Sequence, residues 1–246
     1  MRPIGFSTGA LALGDFDAAL AILKDHPTRA VELSALRDRE LRGLMSALPR
    51  LDLTAFQYMS VHVPSKFSAL SEASAADELL TCIDKKIPVV VHPDAIADFA
   101  CWRQFGSLLS IENMDKRKRV GRTADELEPF FEALPDARFC LDLAHARQVD
   151  DTMGEARELL RRYGSRLLQL HISELDADGH HFSLSMASIN AIRRVAYLIG
   201  PDVPAIVESQ IPALAIEREV EAVELALTYH APKYVDSNAF AASDLL

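Results

Sequence analysis

Strand-length apolar runs and helix-length amphipathic stretches alternate along this chain, and the alternation repeats eight times. The strand-like runs cover residues 4–8, 30–34, 58–63, 88–92, 108–113, 139–143, 167–173 and 205–209. Helical patterns follow at 16–24, 38–48, 74–85, 95–105, 124–134, 153–163, 186–199 and 215–229. Eight strands, each followed by a helix, is the count that closes a (β/α)8 barrel, and 246 residues suit one such domain. We expect a single TIM-barrel domain over residues 1–246, with 237–246 as a loose tail. An open doubly wound sheet is the competing α/β solution. The first strand, however, is not followed by the Gly-rich phosphate fingerprint, since Gly5 and Gly9 do not make G-x-G-x-x-G. Thr123-Ala-Asp-Glu126 has capping-box spacing, and Tyr163-Gly164 and Ile199-Gly200-Pro201 read as helix stops.

Composition narrows the partners. Lys and Arg number 26 against 36 Asp and Glu, a net charge of −10, which argues against a broadly basic surface for nucleic acid. A local basic patch stays possible. Cys82, Cys101 and Cys140 are odd in number and form no CxxC, so neither a disulfide framework nor a cysteine-zinc module is expected. No run of about 18 apolar residues occurs, and the N-terminus MRPIGFSTG lacks a signal-peptide core. The expectation is a soluble, cytoplasmic protein without a membrane partner, its oligomeric state open.

The informative feature is where the ionisable residues fall. His62, His92 and His171 sit at or near strand ends, as do Glu112, Asp142 and Glu208, and His145 follows Asp142 by three residues. The third to eighth strands thus each deliver a potential metal ligand to one end. The residue before each strand-borne ligand is aliphatic (Val61, Val91, Ile111, Leu141, Leu170, Val207), as expected if it faces the helices while the ligand points into the barrel mouth. Two residues back, Ser60, Val90, Ser110, Cys140, Gln169 and Ile206 would enter the interior, where the polar ones can orient ligands. A lone histidine at a strand end is more often structural than a ligand. Six strands placing His, Asp or Glu at one level is different, because uncompensated burial of so many ionisable groups is costly. Divalent cations supply the compensation, at the strand ends where barrel enzymes build active sites.

These segments resemble the xylose isomerase-like barrel superfamily, which includes endonuclease IV-type AP endonucleases and sugar phosphate isomerases and epimerases. The similar stretches are Ser60-Val-His-Val-Pro64, Val90-Val-His-Pro-Asp94, Ser110-Ile-Glu-Asn-Met114, Leu141-Asp-Leu-Ala-His-Ala146, Leu170-His-Ile-Ser173 and Val207-Glu208. Together they run from the third strand to the eighth. The epimerase pattern implies one metal held by Glu112, Asp142, His171 and Glu208. The endonuclease IV pattern implies three zinc ions, adding His62, His92, His145 and the Asp178-Gly-His180 pair, with His181 as the alternate to His180. The family's Gly-x-Gly beyond that pair is replaced by Ser185-Met-Ala-Ser188.

The donor set of imidazole and carboxylate suits zinc first, with manganese or iron next, as two or three ions. Three enzymatic readings follow. The first is hydrolysis of a phosphoester, with Glu112 and Glu208 bridging metals. The second is a one-metal sugar isomerase or epimerase, with the same two glutamates as acid and base. The third is a multi-iron oxidase on the same scaffold. A non-catalytic binding barrel is the bland alternative. Lys116, Arg117 and Arg119, with Arg122, lie just past Glu112, and Arg147 lies just past His145. They read either as a solvated charge run or as a phosphate clamp. The connections after the first three strands look short for gripping a duplex, so a small phosphorylated or sugar-like substrate is preferred to nucleic acid.

Overall fold

The computed structural model describes residues 2–228. Tyr229, at the end of the last expected helix, and the expected tail at 237–246 lie outside the described residues.

Seven parallel strands come first: β1 (Ile4–Ser7), β2 (Ala30–Ser34), β3 (Tyr58–His62), β4 (Val89–Val91), β5 (Leu109–Glu112), β6 (Arg138–Asp142) and β7 (Leu167–Ile172). A hairpin of β8 (Glu174–Leu175) and β9 (His181–Phe182) precedes the last barrel strand, β10 (Ala205–Val207). Each barrel strand pairs with its sequence neighbours, and β1 pairs in parallel with both β2 and β10, so the sheet closes on itself. The result is a (β/α)8 barrel rather than an open sheet.

The alternation anticipated for the strands is what closure requires. Val61, Val91, Ile111, Leu141, Leu170 and Val207 are all fully buried in the continuous apolar layer between strands and helices. Val90, Cys140 and Ile206 are also buried but stand apart from that layer, in the barrel interior. Ser60, Ser110 and Gln169 are completely buried as well.

The helical layer departs from simple periodicity in places. The stretch expected as one helix over 74–85 is two, Glu72–Glu78 and Leu80–Lys85. The 95–105 stretch shrinks to Phe99–Arg103 between two 3-10 turns. Two short helices, Thr8–Ala12 and Leu143–Val149, follow β1 and β6 directly and are too short to leave a periodic signature. At the expected capping box, the Thr123 hydroxyl accepts from the Glu126 N–H at 3.2 Å. The Glu126 carboxylate turns instead to the Arg122 N–H and guanidinium. Among the described residues no helix is long and apolar enough to cross a membrane.

Candidate metal centre

The strand ends put their polar residues at one level for a simple reason: parallel strands in register end together. His62 closes β3, Glu112 closes β5 and Asp142 closes β6, while His92 and Glu208 fall one residue past β4 and β10. His171 is the penultimate residue of β7, paired in register with Asp142. The Asp142-x-x-His145 spacing is that of a helix N-cap. The Asp142 Oδ1 accepts from the His145 N–H at 2.7 Å, so the motif that starts helix Leu143–Val149 also delivers His145 to the mouth. Asn113 locks the neighbouring strand end, since its side-chain amide exchanges two hydrogen bonds with the Asp142 backbone, at 2.8 and 2.9 Å.

Glu112 is the hub. Its Oε2 lies 3.1 Å from His62 Nε2 and 3.3 Å from His92 Nε2. Its Oε1 lies 3.2 Å from His171 Nδ1 and 3.3 Å from His145 Nδ1. Two donor groups therefore share it. In His62, His92 and Glu112, and again in Glu112, Asp142, His171 and Glu208, one atom from each residue falls within 4.8 Å of the others. Two of these buried atoms, Asp142 Oδ2 and His171 Nδ1, make no hydrogen bond to any described residue. Polar atoms without a hydrogen bond on fully buried side chains are rare and costly, and here both belong to one group of candidate ligands. The residues fit a divalent cation.

The electrostatics of the site follow from crowding. Burial alone would raise Glu112, yet His171 and His92 outweigh it and hold the carboxyl well below its ordinary range. Burial pushes Glu208 up to about 8, against the pull of His171. Burial would lower His62 and His145, but carboxylate neighbours win: Glu112 and Glu32 bring His62 to about 9, and Asp142 and Glu112 bring His145 to about 10. His92 is lowered by burial, and His181 falls to about 4 for the same reason. Carboxylates and imidazoles thus shift one another in opposite directions.

The hairpin separates the two adjacent histidines. The structure puts His181, not His180, at the mouth, with its Nδ1 2.8 Å from Ser173 Oγ and 3.7 Å from Glu208 Oε2. His180 and Asp178 are exposed on the outer side of the turn, apart from the other expected ligands. The turn sets this register. Asp176 Oδ1 accepts the N–H groups of Asp178 and His180, and Gly179 adopts φ +87° with the Arg117 guanidinium packed where a side chain would stand. His180 then pairs with Asp176 at 3.1 Å, and β9 turns the next residue inward.

The basic run is largely neutralised locally. Arg117 pairs with buried Asp115 at 2.8 Å and also donates to the Asp178 carbonyl. Lys118 pairs with Asp94 at 2.6 Å and Arg122 with Glu126 at 2.5 Å, while Arg119 is exposed. Lys116 and Arg147 line a separate cleft of about 480 Å³ beside Ser173, where Arg147 also lies 3.6 Å from Glu174. The mouth itself is a cavity of about 290 Å³, with His62, His145 and Glu208 on one side and exposed Leu13 and Leu36 on its rim.

One buried carboxylate escaped the reading of strand ends. Glu32, in the middle of β2, is completely buried and reaches His171 Nε2 at 3.1 Å. The signal was present: in Ala30-Val-Glu-Leu-Ser34 the aliphatic neighbours Val31 and Leu33 face the helices, which turns Glu32 inward.

No protein-family profile matches this chain, and no curated protein matches it in sequence. Solved structures do. Endonuclease IV from Thermus thermophilus superposes with a TM-score of 0.59 at 18% identity, covering 91% of this chain and 99% of its own. A 3-keto-D-glucoside 4-epimerase from E. coli, in its apo form, gives 0.55 at 12% identity over 90% and 98%. A protein described as a sugar phosphate isomerase/epimerase from Anabaena variabilis gives 0.55 at 13% over 98% and 93%. At such identities the likeness establishes one thing: this chain shares the (β/α)8 barrel fold of these structures.

Proposed function

We propose that this chain is a metal-dependent enzyme that holds two or three divalent ions, zinc first among them, and hydrolyses a phosphoester in a small substrate. The observation that carries the reading is Glu112, whose two oxygens face two donor groups. A single-metal site needs only Glu112, Asp142, His171 and Glu208, and leaves His62 and His92 without a task. Bound ions would supply Lewis-acid activation of a phosphoryl oxygen and offset charge on the leaving oxygen.

The chain's own contribution is placement. His62 and His92 converge on one Glu112 oxygen, and His145 and His171 face the other. Of Asp178, His180 and His181, only His181 stands where it can join them. The cavity volume, about 290 Å³, suits a small phosphorylated compound better than a duplex. Only residues 35–37 connect β2 to its helix, which leaves little chain to reach across nucleic acid. In this reading Lys116 and Arg147, in the separate cleft, add positive charge that attracts an anionic substrate. Arg117 steadies the hairpin through Asp115 and the Asp178 carbonyl, and exposed Arg119 adds charge at the rim.

A second reading, a one-metal sugar isomerase or epimerase, is favoured by the group of Glu112, Asp142, His171 and Glu208, which suffices to hold one ion. In this reading Glu112 and Glu208 also serve as the acid and base groups. Elemental analysis separates the two: two or three equivalents of metal support the hydrolase, about one the isomerase. A panel of generic phosphodiesters, abasic DNA and ketoses, each with and without chelator, then tests the chemistry. Oxygen uptake by iron-loaded protein would point to the oxidase instead.

A further inference from the structure

We infer that Glu32 is a positioning residue that holds the His171 ring with Nε2 protonated and Nδ1 turned to the metal centre. The inference rests on the metal-binding reading above.

Glu32 and His171 are both completely buried. The His171 Nε2 lies 3.1 Å from Glu32 Oε1 and 3.2 Å from Oε2. At the opposite edge of the ring, Nδ1 lies 3.2 Å from Glu112 Oε1 and 3.5 Å from Glu208 Oε1 without forming a hydrogen bond. An imidazole that ligates through one nitrogen commonly donates its other N–H to a carboxylate, which fixes both tautomer and ring orientation. Here that carboxylate comes from a different strand and is itself fixed. Glu32 Oε2 accepts from Ser60 Oγ at 2.9 Å and from Gln169 Nε2 at 2.7 Å.

One contact opposes this arrangement. Gln169 Nε2 also lies 2.8 Å from His171 Nε2, and a bond donated there would place the ring proton on Nδ1 instead. Two facts decide against it. A hydrogen bond to an ionised carboxylate is roughly twice as strong as one between neutral groups. The Gln169 amide is also oriented from behind, since the Tyr58 hydroxyl donates to its Oε1 at 2.5 Å and aims the NH2 at Glu32. Tyr58, Gln169, Ser60 and Glu32 thus form a buried scaffold below the mouth, ending on His171.

Titration of chelator-stripped protein with Co(II) and Zn(II) tests the inference. Glu32→Gln keeps the volume and removes the charge. It should bind the same number of ions with one site weakened about 10–100-fold, and should shift the Co(II) visible absorption bands. Unchanged affinity and spectrum would overturn the inference and leave Glu32 a structural residue. Loss of one equivalent would also overturn it, making Glu32 a ligand. If Glu32→Gln does not fold, Glu32→Asp, which keeps the charge but retracts it, should show the same weakening and spectral shift, and their absence counts against the inference. Wild-type protein that binds no Co(II) or Zn(II) is a different result, one that removes the metal-binding reading itself.

Discussion

His62 Nε2 and Glu112 Oε2 stand 3.1 Å apart, although they come from β3 and β5 and the strand between them contributes His92 to the same oxygen. Three consecutive strands thus serve one carboxylate oxygen, while β6, β7 and β10 serve the rest of the site.

That division predicts separable metal losses. His62→Ala or His92→Ala should reduce bound metal by about one equivalent and leave the group of Glu112, Asp142, His171 and Glu208 loaded. Since outer partners of metal ligands alone are worth about 10–100-fold, loss of a direct donor should lower turnover in the proposed phosphoester hydrolysis by at least that much. Elemental analysis beside kinetics checks both. Full metal content and full activity in both variants would sink the multinuclear site.

Protonation predicts opposite pH slopes for empty and loaded protein. His62 at about 9 and His145 at about 10 hold protons that the unfolded chain releases near 6.5. Their stabilisation is complete below 6.5 and is lost as pH climbs through 9 and 10. Glu208, raised to about 8, acts in the same direction between about 4.5 and 8. The Tm of chelated protein should therefore fall from neutral to alkaline pH. Metal ligands must shed these protons, so zinc binding should release protons and tighten as pH rises. Calorimetry in buffers of different ionisation enthalpy measures the release. A chelated protein whose Tm rises from pH 7 to 9 would contradict the argument.

The hairpin predicts a contrast between adjacent histidines. His181→Ala should weaken metal or substrate binding, whereas His180→Ala and Asp178→Ala should leave both close to wild type. Binding isotherms on the three variants decide it. A large defect confined to His180→Ala would restore the register expected from the Asp-x-His pattern.

The contrast also marks what the sequence could reveal. Strand ends were legible because an aliphatic residue beside each ligand fixes which way the ligand points, as Val61 does for His62 and Leu141 for Asp142. The same alternation applied to β2 turns Glu32 inward, although it sits mid-strand rather than at a strand end. His181 was less accessible. Its inward turn depends on Asp176 capping two backbone N–H groups and on the positive φ of Gly179, neither of which leaves a periodic trace. The helix Leu143–Val149 was hidden by its length, although its N-cap, Asp142, was in view as a ligand.

Asp38 makes the last prediction, at a distance from the metal site. Its nearly buried carboxylate accepts the backbone N–H groups of Ser68, Ala69 and Leu70, and so clasps the segment that follows His62 to the helix after β2. The Ala69 and Leu70 N–H groups hold this carboxyl at about 2, below its ordinary 3.8. A depressed carboxyl stabilises the fold above its unfolded pKa and loses that contribution as pH falls through the folded value. The clasp should therefore be intact at pH 5, weaken below about 4 and vanish near 2. Asp38→Asn offers an amide where three N–H donors converge, so it should lower the Tm by several degrees at pH 7. It should also speed amide hydrogen exchange at residues 68–70. At pH 2 the wild-type advantage should disappear. A Tm difference that persists unchanged from pH 7 to pH 2 would show that packing, not the carboxylate, holds the segment.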